Sequence, residues 1–129
     1  MDDTVRVRYM VKDVPASTAF YTSHLGFTVE GPQAPAFGAV RRGNLLLLLS
    51  GEQSSAGRPM PDGRQPEPGG WNRIHLVVED IEAEAARLRA AGVLFRNDIV
   101  RGPGGAQTVF DDPSGNPIEL FQPAANPPR

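Results

Sequence analysis

The chain repeats itself. Arg8-Tyr9-Met10-Val11-Lys12-Asp13-Val14 lies over His75-Leu76-Val77-Val78-Glu79-Asp80-Ile81, and Gly43-Asn44 lies over Gly115-Asn116, an internal period of about 67 to 72 residues. Two matches in the same order, each at the same kind of element, argue for a duplicated module. The first copy reads as strand, helix and three strands. Val5 to Val11 is β-branched and imperfectly alternating, as in a strand with two unequal faces. Asp13-Val14-Pro15 opens a helix that keeps apolar spacing through Ala16, Ala19, Phe20, Tyr21 and Leu25 and stops at Gly26. Phe27 to Glu30, Phe37 to Arg42 and Leu45 to Ser50 are extended, with Gly43-Asn44 as a tight hairpin turn between the last two. The second copy follows with a strand at Arg73 to Val78, a helix at Ile81 to Ala91 and strands at Val93 to Phe95, Thr108 to Asp111 and Pro117 to Phe121.

Between the copies, residues 51–70 contain nine Gly or Pro in twenty. A structureless stretch of that length is either mobile or closes over something. One domain is therefore expected over 1–129, with module one at about 4–50, a flexible flap at 51–70 and module two at about 71–123. The Gly102-Pro103-Gly104-Gly105 run reads as a loop, since it does not sit at a strand-to-helix switch where phosphate would be cradled.

Charge and composition remove several function classes. Thirteen basic against fifteen acidic residues give a net charge of -2, which offers no cationic face for nucleic acid. Without cysteine, a disulfide, a thiolate zinc site or a thiol nucleophile is excluded. Met1-Asp2-Asp3-Thr4 is acidic and leads into no apolar segment, and the Leu45 to Leu49 run is far too short to span a bilayer. The expectation is a cytoplasmic protein without a membrane partner.

Two stretches carry a resemblance. Ala19-Phe20-Tyr21-Thr22-Ser23-His24-Leu25-Gly26-Phe27 is similar to the "FY...LGF" helix end, and Asp112-Pro113-Ser114-Gly115-Asn116-Pro117-Ile118-Glu119-Leu120 to the "DP.GN.IEL" hairpin, of the vicinal oxygen chelate superfamily, also called the glyoxalase/bleomycin resistance/dioxygenase superfamily. In the second stretch Pro113 fixes φ, while Gly115 and Asn116 accept positive φ, so the chain reverses and presents Glu119 on the last strand. The resemblance implies an α+β fold: two βαβββ modules forming an open U-shaped mixed-sheet barrel with helices outside and a ligand pocket on the concave face. It also implies a homodimer, the commonest closed assembly.

Metal-dependent members place His or Gln, His and Glu on the first strand of each module and the last strand of one or both. Carried over, those positions are Arg8, Leu47, His75 and Glu119. Leucine has no donor and arginine does not deprotonate, so only His75 and Glu119 remain, and no metal cofactor is expected; a divalent metal at those two residues is the alternative. In its place Arg8 is expected to pair with Glu119.

Two functions follow. The first is a small-molecule-binding protein of the sequestration or resistance type, with a small organic ligand held by Arg8, Leu45, Leu47, Leu49, Trp71, His75, Glu119 and Phe121, a cationic drug being one version. The alternative is an enzyme of the same superfamily, a lyase, isomerase, epimerase or dioxygenase, with His75 or Glu119 as acid/base and Arg8 stabilising a developing oxyanion. His24 is expected to face solvent without a chemical role. Trp71 is expected in the core or in a pocket wall.

Overall fold

Each copy of the repeat begins where an aspartate ends a strand and starts a helix. The Asp13 carboxylate accepts from Ala16 N at 3.0 Å and that of Asp80 accepts from Ala83 N at 3.1 Å, closing orphan donors at both helix starts. The computed structural model describes residues 2–125. Its elements are β1 (Val5–Met10), α1 (Val14–His24), β2 (Thr28–Val29), β3 (Phe37–Arg42), β4 (Leu45–Ser50), a 3-10 turn at Ser55–Gly57, β5 (Ile74–Val77), α2 (Ile81–Ala90), β6 (Val100–Gly102), β7 (Gly105–Asp111) and β8 (Pro117–Pro123). This is the expected α+β pattern of two βαβββ modules.

The described chain divides into two units. One comprises residues 2–69 with 113–116, the other residues 70–112 with 117–125. In the first, the sheet runs β1-β4-β3-β2 with β1 parallel to β4; in the second it runs β5-β8-β7-β6 with β5 parallel to β8. The helix-side core of the first unit is Tyr9, Val40, Leu47 and Leu49 with Val14 and Tyr21, all buried. That of the second is Ile74, Leu76, Phe110, Ile118 and Leu120 with Ile81, Ala85 and Leu88. Side chains such as these contribute about 1.5 to 3 kcal/mol each when fully buried.

Local departures from the sequence reading have physical causes. At Val93 to Phe95 no strand forms. Val93 N is taken up by Leu88 O at the end of α2, and Phe95 makes only an isolated bridge to Phe110. Further pairing stops because the Asn97 side chain accepts from Val109 N at 2.8 Å, filling a ladder position. The edge strand is instead β6, so the 102–105 run is the β6–β7 turn. Gly43 has φ +59 but Asn44 does not turn positive, the pattern of a type II′ hairpin.

Asn116 likewise keeps negative φ, contrary to the turn role expected for it. Its carboxamide is the useful part: Nδ2 donates to Met10 O at 2.7 Å and Oδ1 accepts from Gly69 N at 2.8 Å. Ser114 Oγ accepts from Lys12 N at 2.8 Å beside it. The 51–70 strap also closes on itself. Gln65 Nε2 donates to Gly57 O at 2.6 Å, and Gly63 N turns back to Met60 O at 2.9 Å. These bonds give the segment a defined course without a strand or α-helix.

Candidate functional site

Alternation along β5 and β8 sets the face that the second sheet turns away from α2. Parallel register pairs His75 with Glu119 and Val77 with Phe121, and Arg73, two residues before His75, shares their side. Antiparallel register adds Val109 beside Glu119, and Gln107 beside Phe121 with Val100 next to it. At the centre is the Glu119 carboxylate, buried. Oε1 receives Arg73 Nε and Nη2, both at 2.9 Å, and His75 Nε2 lies 3.2 Å from Oε2. The His75 side chain is 48% exposed, and its ring packs at 4.8 Å from that of Phe121. The result is a neutralised carboxylate under a half-open imidazole and an aromatic ring.

A second cluster stands at the entrance to β5. Arg96 donates to Asp111 Oδ1 at 2.6 Å and to Gly70 O at 2.8 Å, with its guanidinium 4.6 Å from the centre of the Trp71 ring. Arg73 Nη1 adds a bond to Trp71 O at 3.1 Å. Trp71 is 70% exposed, so it belongs to no core; it is a ring held on one face by Arg96.

These residues fit a divalent metal poorly. Among the described residues no three His, Asp or Glu side chains come together to hold one. Of the two donors expected, Glu119 already shares Oε1 with a guanidinium. Two unit charges 4 Å apart interact by about 4 kcal/mol at an effective dielectric of about 20, and a divalent ion on that carboxylate would meet roughly twice that repulsion from Arg73.

Arg8 lies on the face opposite α1 and donates from Nη1 to the buried Ser50 Oγ at 2.8 Å. Within the second unit, the cation that meets Glu119 is Arg73, a residue that the family pattern does not mark. Register places Leu48 beside Arg8, with Leu46 and Ser50 on the same side. Leu45, Leu47 and Leu49 line up instead with Val5, Val7 and Tyr9 on the side that α1 covers, and Leu47 and Leu49 are fully buried there. Leu47 and Leu49 are core residues and not the ligand wall expected, and Leu45 is half-buried on the same side. The error is one of parity. Gly43-Asn44 is a two-residue turn, whereas five residues separate Asp111 from Pro117, so equating the two turns shifts β4 by one residue. The counterpart of Glu119 is Leu48.

Of the expected residues, His75, Glu119 and Phe121 come together. Arg73 was overlooked, although the signal was present: Arg6-Val7-Arg8 repeats as Arg73-Ile74-His75, and i and i+2 share a strand face. Also unanticipated is a cavity of about 400 Å³ in the first unit, lined by Met10, Lys12, Glu52, Glu67 and Ser114 among others. His24 is half-buried, its ring edge-on to Phe20 at 5.4 Å.

The family model for the Glyoxalase/Bleomycin resistance protein/Dioxygenase superfamily matches residues 4–120. An uncharacterized protein of Escherichia coli (strain K12), YaeR, is 29% identical over 121 residues, covering 90% of this chain and 92% of that one. A member of the same superfamily from Sphaerobacter thermophilus is 28% identical with a TM-score of 0.73, over 92% of this chain and 95% of its own. TnmS3, an antibiotic binding protein from Streptomyces sp. CB03234, is 27% identical with a TM-score of 0.71, over 94% and 95%.

Proposed function

Because the chain belongs to the Glyoxalase/Bleomycin resistance protein/Dioxygenase superfamily, we propose that it is a cytoplasmic small-molecule-binding protein of the sequestering kind, holding one organic ligand without a metal. The observation that carries this is the internal neutralisation of Glu119 by Arg73. A carboxylate already met by a guanidinium offers little to a cationic drug, one of the versions the sequence leaves open. What remains open on that face is the His75 imidazole and the Phe121 ring, with the exposed Trp71 ring at the entrance to β5, groups suited to a flat, uncharged ligand with a hydrogen-bonding edge. Resemblance to an antibiotic binding protein over nearly the full length supports this reading.

A screen of chelator-treated protein against planar hydroxylated aromatics and aromatic antibiotics, by thermal shift and then calorimetry, tests it. Bound compounds should show one site per chain, and His75→Ala and Phe121→Ala should each weaken binding by about tenfold or more while leaving the free protein folded. Ligands that bind only after metal is added, or that are indifferent to both substitutions, would overturn the reading.

One observation favours an enzyme as the second reading. His75 Nε2 lies 3.2 Å from a Glu119 carboxylate oxygen, and an imidazole carrying its proton on that nitrogen presents an Nδ1 lone pair. A carboxylate-oriented imidazole of this kind is a general base for a C–H or O–H acid. Product formation by the wild type, lost in His75→Ala and in Glu119→Gln without loss of fold, separates this reading from sequestration.

We further propose a homodimer. Closed two-fold pairing is the commonest assembly of identical chains. Light scattering on the eluting protein should give twice the chain mass; a monomer at micromolar concentration would remove this part of the proposal.

A further inference from the structure

Arg73 makes the closest contact of the most buried charge on the second sheet's free face. Glu119 retains about 9% of its surface, so its charge needs a partner, and Arg73 supplies two N–H donors to a single oxygen. The backbone holds that guanidinium in turn: Nη1 reaches Trp71 O, and the adjoining Gly70 O is held by Arg96. A cation is therefore fixed beside the same carboxylate that the family would use for a metal, and His75 faces the other carboxylate oxygen.

We infer that Arg73 is a built-in replacement for the divalent cation, and that it determines which ligands the site accepts by keeping His75 and Glu119 from capturing a metal. The inference rests on the metal-free reading above and adds a cause to it. Arginine suits the part because it stays charged at any accessible pH and its planar fork matches a carboxylate. Removing the guanidinium leaves an imidazole and an unpaired carboxylate about 3 Å apart, the start of a nitrogen and oxygen donor set for nickel or cobalt.

The test is titration calorimetry of chelator-stripped full chain with Ni²⁺ and with Co²⁺, the latter followed also by its visible absorption. Arg73→Gln is expected to bind at least about tenfold more tightly than the wild type, with one ion per chain. Arg73→Lys, which keeps the charge, should stay as weak as the wild type, and the gain should vanish in Arg73→Gln/Glu119→Gln. Circular dichroism confirms that each variant folds, and Arg73→Met serves if Arg73→Gln does not. Wild-type binding of one ion per chain as tight as the variant's would overturn both this inference and the metal-free reading. Weak binding in wild type and variant alike would overturn this inference alone.

Discussion

At the scale of single residues, two buried polar groups show how differently the same burial is handled. Ser17 on α1 is fully buried, and among the described residues its hydroxyl has no hydrogen-bond partner. An unpaired buried hydroxyl costs on the order of 1 to 3 kcal/mol, whereas the methyl of alanine there costs nothing of the kind. Ser17→Ala should therefore raise unfolding free energy by about 1 kcal/mol in urea melts; a loss of that size would mean that the hydroxyl is paired after all. Asn116 is the opposite case, with both ends of its carboxamide bonded to backbone. Asn116→Ala leaves Met10 O and Gly69 N without those partners and should cost about 2 to 3 kcal/mol by the same measurement. The sequence marks Asn116 as a turn residue by its motif, and the turn is there; that its side chain works and its φ does not is a long-range fact, invisible to local pattern. Arg73 was missed for a related reason. The family pattern marks His75 and Glu119, while Arg73 reaches the carboxylate through the strand face shared by positions i and i+2.

At the scale of elements, periodicity served well wherever one signal governed. The first helix starts on Asp13, which the sequence marks, and the second on its counterpart Asp80; the two stop at Gly26 and Gly92, whose positive φ only glycine adopts readily. β3 and β4 keep the expected bounds because a two-residue turn fixes their register. The Leu45 to Leu49 run failed as a guide because five consecutive leucines carry no alternation, so parity had to be borrowed from a turn of different length. Capping gives the test at this scale: Asp80→Ala removes the acceptor at the start of α2 and should cost about 1 kcal/mol. A further test concerns the β2–β3 edge, where Arg41 bonds both oxygens of Glu30 and holds that carboxyl below the usual glutamate range of about 4.3. A depressed carboxyl stabilises the fold above its unfolded pKa, and the contribution is lost as pH falls below that value. Glu30→Gln should therefore flatten the acid limb of stability against pH below about 4 while leaving the profile near pH 7 parallel to wild type. An unchanged acid limb would show that the pair contributes nothing.

At the scale of the whole chain, duplication was the feature the sequence expressed most plainly, and the structure bears it out in two sheets of the same strand order. The boundary was less legible. It falls at Gly69 and Gly70, both in the positive-φ region, but the first unit also takes back residues 113–116 from the far end of the chain. No composition shift announces that return, which depends on the Ser114 and Asn116 side chains meeting the end of β1. The same bonds determine where the strap should open first. Its start is tied by Ser54 to Gly51 O, its middle by Gln65 to Gly57 O and its end by Gly69 to Asn116, leaving the tip at 60–64 with two local backbone bonds, Gly63 N to Met60 O and Met60 N to Arg64 O, and an exposed Asp62–Arg64 pair. Arg64 is 84% exposed, and a surface pair of this kind adds little protection. Arg58 is followed by proline and resists trypsin, so the first tryptic cut of the native protein should follow Arg64 and give two fragments of nearly equal length. Mass spectrometry of a short digest checks this. A first cut inside β1 or α2 would mean that one of the helix-covered sheets opens before the strap, and that the stability of the two units is not carried by the cores described above.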